Sequence, residues 1–353
     1  MRIIFFFSIL VSFTLRAASF KEASTLVDKA FESKLFSGAS LYIGQASLPL
    51  LEYSVGISDP DKIFDIASLS KVVSTTLSIL ILEERGLISL DDKVSTYFPQ
   101  FNSSDKKSVT LEDLMRHRAG LPSGTTPKIG EAYEVYLKRI TSQALTYKPR
   151  SKTVYSDLSF ILLGRIVELA SGEKLSQFAQ TNIFSPLKMT STNYVVPIDN
   201  QILCAPTSIL EPCFVHDPTA NRLLPESVGN AGVFSTITDL SRLGHMLINK
   251  GELDGVRILS EKTVEKMSTP VGPRGLGWDL TSEYATAPRG TVFPAGISYG
   301  HTGYTGTTMW IDPKTKSFYV FLSNRVFMGD ERTKKPFTAF RKALSTSIGK
   351  SLY

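Results

Sequence analysis

Ser68 and Lys71 stand one helical turn apart at the head of an apolar run, Val72 to Leu82, and together they could carry nucleophilic acyl chemistry. A serine hydroxyl is a poor nucleophile until a neighbour takes its proton. On a helix, an amine three residues further along lies on the same face, within reach of that hydroxyl. The run after Lys71 is apolar nearly all round, which predicts a buried central helix. Burial lowers a lysine pKa, and the positive end of the helix dipole lowers it further, so Lys71 is expected as the base for Ser68. The Ser68 N–H would then point at an incoming carbonyl oxygen. Ser-x-x-Lys also occurs at Ser103/Lys106, Ser104/Lys107, Ser171/Lys174, Ser185/Lys188 and Ser347/Lys350, all in polar or loop-like surroundings. Ser68 differs in its context, with the short apolar stretch Ile63 to Ala67 before it and the predicted buried helix after it. The competing reading of the pair is an ordinary helix start.

The elements that must position this pair can be read along the chain. Residues 38–57 read as two short strands around a Leu48-Pro49 bend. Helical periodicity covers 68–85, 110–117 with Thr110 as N-cap, 130–145, 156–171, 174–182 and 237–250. Toward the C-terminus, Tyr304 to Ile311 and Ser317 to Ser323 are β-rich runs around Asp312 to Lys316, which predicts a hairpin with a longer loop. An amphipathic helix is expected from Glu331 to Lys350. Strands at both ends of the chain with helices between them predict an α/β fold: one sheet built from both ends, with a mostly helical insertion.

Composition narrows the function classes. With 353 residues, 42% hydrophobic and 20% charged, the chain has ample core for one large domain or two smaller ones. The net charge of +6 comes without a long basic run, so mild attraction to anionic surfaces is expected and a nucleic-acid partner is not. Arg2, the apolar run Ile3 to Leu15 and the small residues Ala17, Ala18 and Ser19 suit an export signal, either cleaved or kept as an anchor. Arg16 fits poorly just before a cleavage site. The run is short for a bilayer span. Residues 1–18 are therefore set apart, and 19–353 are expected as a single domain, its α/β part at about 19–66 and 255–353 and its helical part at about 67–254. In an exported protein Cys204 and Cys213 could close a small disulfide loop, and without matching histidines they make no zinc site. No dinucleotide or phosphate-loop glycine pattern is present, and no cofactor or metal is expected.

Two further segments change the reading of Ser68. Tyr155-Ser156-Asp157 leads into an apolar helix, and His301-Thr302-Gly303 leads into the β-rich run from Tyr304. With Ser68-x-x-Lys71 they follow the order and spacing of the three motifs of the penicillin-recognising serine hydrolases, which are Ser-x-x-Lys, Tyr-x-Asn and Lys-Thr-Gly or His-Thr-Gly. The chain resembles the branch with a tyrosine second motif: class C β-lactamases, secreted DD-carboxypeptidases and related esterases. Asp65-Ile-Ala-Ser-Leu-Ser-Lys71, Arg116-His-Arg-Ala-Gly-Leu-Pro122 and Gly229 to Leu240 look like landmarks of the same family, and the similarity spans about residues 25–345.

The resemblance implies a β-lactamase-like fold and gives each motif residue a role. Ser68 is similar to the acylated nucleophile, Lys71 to the lysine that takes or relays its proton, and Tyr155 to the tyrosine that moves protons to the leaving group and from the deacylating water. The N–H groups of Ser68 and Tyr304 would form the oxyanion hole, and the Thr302-Gly303 edge would pair with an extended substrate. Tyr155, with an ordinary pKa near 10, needs a cation beside it to act as a base at neutral pH. Asp157 stands where many members have asparagine, and either a helix N-cap or a substrate-binding role is open to it. His301 replaces the lysine of most β-lactamases and is expected as a neutral hydrogen-bonding partner of the catalytic hydroxyls. Arg289, upstream of it, is a candidate cation for a substrate carboxylate. His216 and Asp217 rim the pocket or clamp a loop. The implied activity is that of a cell-envelope serine acyl-hydrolase on D-alanyl peptides, with an ester or β-lactam as alternative substrate and peptidoglycan as a further candidate partner. A non-catalytic ligand sensor or scaffold is the alternative of another class.

Overall fold

Ala39–Gln45 (β1) and Leu48–Val55 (β2) near one end of the chain join Tyr299–Gly303 (β3), Thr307–Asp312 (β4) and Ser317–Ser323 (β5) near the other in one five-stranded sheet. The computed structural model describes residues 20–56 and 62–353, and the export-signal expectation for 1–18 lies outside them. The strand order is β2-β1-β5-β4-β3, antiparallel throughout, so the sheet is closed by pairing β1 from the first end with β5 from the second. Its two outer strands are β2 and β3. The turn between β1 and β2 falls at Ala46-Ser47 rather than at Leu48-Pro49. Pro49 is tolerated inside β2 because that strand is an edge and needs no second ladder of donors.

Helices cover both faces. Lys21–Glu32 (α1) and the C-terminal helix Asp330–Leu352 (α5) pack together, and Phe36, Trp310, Phe321, Phe337 and Phe340 fill the core beneath them. A larger core lies on the opposite face, where Ile237–Ile248 (α4) packs on β1 and β5. Thr76–Glu84 (α2) runs through that core with Thr76 to Leu82 all buried. This is the behaviour expected of a helix without a polar face. Asp157–Ser171 (α3) packs against it.

The segment 68–85 is helical but not uniformly so. Ala67–Leu69 forms a tight 3₁₀ turn, Lys71–Thr75 widens into one π-helical turn, and only then does α2 begin. Such single π turns inside helices re-aim side chains and recur at functional sites. The second difference from expectation concerns His301-Thr302-Gly303. These residues belong to a strand of their own, β3, and Tyr304 to Gly306 form the turn before β4.

Candidate active site

The turn that carries Ser68 is strained. Ala67 has φ +46°, a left-handed conformation that costs an L-residue with a Cβ on the order of 1 kcal/mol. Ser70 helps to hold it: its hydroxyl donates to the Ala67 carbonyl at 2.6 Å and accepts the Val233 N–H at 3.0 Å. One turn on, the Lys71 ammonium donates to Ser68 Oγ at 3.0 Å and to the Asn230 carbonyl at 2.7 Å. The same nitrogen lies 2.6 Å from Asp157 Oδ1, with the lysine side chain fully buried and the aspartate 30% exposed.

This ion pair reverses one expectation. Burial does oppose the charge on Lys71, but the Asp157 carboxylate and the Tyr155 hydroxyl outweigh it, and the lysine pKa rises above its ordinary value. Lys71 is therefore a held cation, not a free amine waiting for a proton. Asp157 is not the helix cap either. Ser156 is the N-cap of α3, its hydroxyl accepting the Ser159 N–H at 3.3 Å, which frees the Asp157 carboxylate in the first turn to face Lys71.

Tyr155 lies over this pair, with Lys71 Nζ 5.0 Å and the Arg274 guanidinium 5.3 Å from its ring centre. Ser68 and Lys71 are polar neighbours of its hydroxyl; burial raises the phenol pKa and the lysine charge pulls against that rise. The ring packs on His117 at 4.6 Å, Tyr284 at 5.7 Å and His301 at 5.9 Å. His117 Nδ1 accepts the Ser156 N–H at 3.0 Å, tying the segment 155–157 to the loop after Leu111–Met115.

His301 is buried in β3, and its Nδ1 lies 2.9 Å from the Thr302 carbonyl. A carbonyl only accepts, so Nδ1 carries the proton of the neutral ring and Nε2 is left as an acceptor. Burial, then the charges of Arg274 and Lys71, hold its pKa well below the usual histidine value. Gly303 explains how β3 reaches the Ser68 turn. A Cβ there would lie 2.1 Å from Thr307 Oγ1 and 2.3 Å from the Ile66 carbonyl, so only glycine permits the approach.

Ser68, Tyr155, His301, Thr302, Gly303 and Tyr304 all line one cleft of about 360 Å³. Arg289 does not line it; its guanidinium donates to the Phe293 carbonyl at 3.3 Å, at the end of the short helix Thr286–Arg289. The cations that do line it are Arg274, Arg325, Lys334 and Arg341, none of which the sequence pointed to as a site residue, and the Tyr155 ring lies under Arg274. The Arg274 side chain is almost fully buried, Nη2 lies 3.2 Å from Asp279, and Nη1 has no partner. Asp217 caps Pro218–Arg222 and accepts from Asn230 Nδ2 at 3.2 Å, while the His216 ring stacks on Tyr304 at 5.8 Å. Cys204 and Cys213 are joined as a disulfide.

Two other places fall short as reaction centres. Ser103 donates to Asp105 while Lys106 turns inward to the Thr141 carbonyl, so that Ser-x-x-Lys does not assemble. A hollow of about 580 Å³ beside Tyr42 and His245 is larger than the cleft, but the charges on its wall are spent on the pairs Arg242–Asp254 and Arg257–Glu252.

Known proteins share the family and the fold of this chain. The family model described as Beta-lactamase matches residues 25–343. A protein of Escherichia coli (strain K12) named "Putative D-alanyl-D-alanine carboxypeptidase" is 29% identical over 300 residues, covering 74% of this chain and 69% of that protein. Among solved structures, a class C beta lactamase from Rhodobacter sphaeroides superposes with a TM-score of 0.74 at 22% identity, over 94% of this chain and 99% of the other. EstCE1, a hydrolase with promiscuous acyltransferase activity, superposes with a TM-score of 0.76 at 20% identity, over 94% of this chain and all (100%) of its own.

Proposed function

The chain belongs to the β-lactamase family of serine hydrolases, and from that premise we propose that it works through an acyl-enzyme on Ser68, with D-alanyl peptides as the substrate class. The observation that carries the reading is the buried Lys71 ammonium, 3.0 Å from the Oγ of Ser68 and 2.6 Å from Asp157, behind a cleft lined by Ser68 and Tyr155.

In this reading Ser68 Oγ attacks the substrate carbonyl carbon as its proton leaves toward the Tyr155, Lys71 and Asp157 group. Lys71 already carries its full complement of protons, so the net acceptor is the Asp157 carboxylate, reached as Lys71 takes one proton and passes another on. The developing oxyanion lies against the N–H groups of Ser68 and Tyr304. Collapse of the tetrahedral intermediate expels the leaving amine or alkoxide, which takes its proton from the Tyr155 hydroxyl as Lys71 returns one to Tyr155 and is refilled by the proton held on Asp157. Water then attacks the acyl-enzyme with the proton path run backward, and Ser68 is released. His301, neutral with Nε2 open, accepts a hydrogen bond from a hydroxyl or substrate N–H in the cleft.

An ester substrate is the second reading, and a specific observation favours it. Asp157 offsets the Lys71 charge and His301 is neutral where a lysine would be charged, so neither position offers a free charge to a substrate carboxylate, which leaves that role to Arg274, Arg325, Lys334 or Arg341 on the cleft lining. Incubation with a penicillin, a D-Ala-D-Ala peptide and a short-chain p-nitrophenyl ester, followed by intact mass and turnover for each, separates the readings. Release of D-alanine with transient acylation is expected. Ester turnover with no peptide turnover would move the assignment to an esterase, and tight penicillin binding without any adduct would point to a sensor. Export to the cell envelope belongs to the same proposal, supported by the apolar run Ile3 to Leu15 and by the Cys204–Cys213 disulfide.

A further inference from the structure

We infer that Asp65 is a positioning residue that sets both oxyanion donors of the Ser68 cleft together, an inference that rests on the acyl-enzyme reading above. Asp65 is buried, and its carboxylate spans two segments: Oδ1 accepts the Ala67 N–H at 2.8 Å and Oδ2 accepts the His216 N–H at 2.8 Å. Its main-chain carbonyl accepts from Thr305 Oγ1 at 2.7 Å, and the next carbonyl, Ile66, accepts from Thr307 Oγ1 at 3.0 Å.

The neighbours of these contacts are what matter. Ala67 precedes Ser68, whose N–H is one donor, and Thr305 follows Tyr304, whose N–H is the other. The side chain of Asp65 thus fixes the first donor while its backbone fixes the second. The third segment is tied in as well, because His216 stacks on the Tyr304 ring. Ala67 is held at positive φ, so loss of the carboxylate that grips its N–H lets the turn relax and moves the Ser68 N–H off its aim. A displacement of about 1 Å at such a site costs on the order of 10²-fold in rate.

A purely structural role for Asp65 predicts something different, and pH tells the two apart. Burial pushes the Asp65 carboxyl up to about 7, against the two N–H bonds that favour its charged form, and the nearby Asp217 carboxylate adds to the rise. The groups facing it are Asp217 and His216; Asp217 is itself raised and His216 lowered, each chiefly by burial. Above its pKa both oxygens of Asp65 accept; below it one oxygen carries a proton and a grip is weakened.

The test is Asp65→Asn, whose amide keeps the shape but turns a donor toward one of the two N–H groups. Acylation rate and KM are measured with a p-nitrophenyl ester from pH 5 to 9, alongside the melting temperature. Wild type is expected to lose rate as pH falls through about 7. In Asp65→Asn that step disappears, kcat drops by about 10²-fold and KM changes little. Thr305→Val is the second variant, removing only the backbone tether; it should lower kcat while keeping the Asp65 pH step, and it carries the test if Asp65→Asn does not fold. A wild-type kcat in the folded variants, or a pH step that persists in Asp65→Asn, overturns the inference. A wild-type enzyme that never acylates on Ser68 overturns the acyl-enzyme reading instead.

Discussion

Asp157→Asn removes the charge beside Lys71 while keeping the side-chain shape, and its consequence can be worked from one contact. Asp157 Oδ1 lies 2.6 Å from a Lys71 ammonium with no solvent exposure. An opposite charge at such range favours the charged lysine by about 1.4–4 kcal/mol. In the variant, burial is opposed mainly by Tyr155, and the Lys71 pKa should fall. Lys71 ¹⁵Nζ chemical shifts followed against pH in selectively labelled protein would report it. Stability gives a second readout. Because the folded pKa of Lys71 is raised, its contribution to stability is fully present below the unfolded lysine value and is lost only as pH rises through the folded value. The wild type should therefore be more stable than Asp157→Asn by a similar margin throughout the neutral range. If Asp157 is the terminal proton acceptor, the variant also loses about 10²–10⁴ in kcat at pH 7. It should then regain rate as pH rises and Lys71 itself becomes a free base. A variant with wild-type kcat, a flat pH profile and an unmoved Lys71 titration would refute the argument.

Three further outcomes follow from the same geometry. Gly303→Ala forces β3 away from the Ile66 carbonyl and should cut kcat by on the order of 10²-fold while the protein stays folded, checked by steady-state rates and a melting curve. His301→Ala should slow acylation by about 10–10³-fold, and in wild type protonation of His301 should cost activity only well below the ordinary histidine pKa, as stopped-flow acylation against pH would show. Arg274→Gln removes a charge that depresses His301, so the acid loss due to this histidine, below the Asp65 step, should move to higher pH; if that lower step stays where it is, Arg274 does not act on His301.

The parts of the site visible in the sequence were side chains at fixed local spacing. Ser68 and Lys71 announce themselves one turn apart ahead of an apolar helix, and the β-rich runs near the two chain ends foretold one shared sheet. What escaped was decided by tertiary approach. The charge state of Lys71 depends on Asp157, which the first turn of α3 delivers from far along the chain. Asn230 contributes a backbone carbonyl, and a backbone group leaves no side-chain signature. Arg274, not Arg289, reaches the Tyr155 wall because the segment 274–279 pairs back on itself and on β3. Strand β3 was hidden by its own glycines: Gly300 and Gly303 are poor strand formers, yet a Cβ at Gly300 would lie 2.2 Å from the Trp310 ring, so close packing demands them. Asp65 stood within a recognisable segment, but its grip on His216 crosses the fold.

The most direct test of the central claim is the mass of the protein trapped during turnover, with peptide mapping of the adduct in wild type and in Ser68→Ala. Catalysis through Ser68 requires a single acyl group on Ser68 in wild type, none in Ser68→Ala, and a loss of kcat on the order of 10⁶ in that variant. An adduct on Ser103 or another serine, or undiminished turnover by Ser68→Ala, would contradict it.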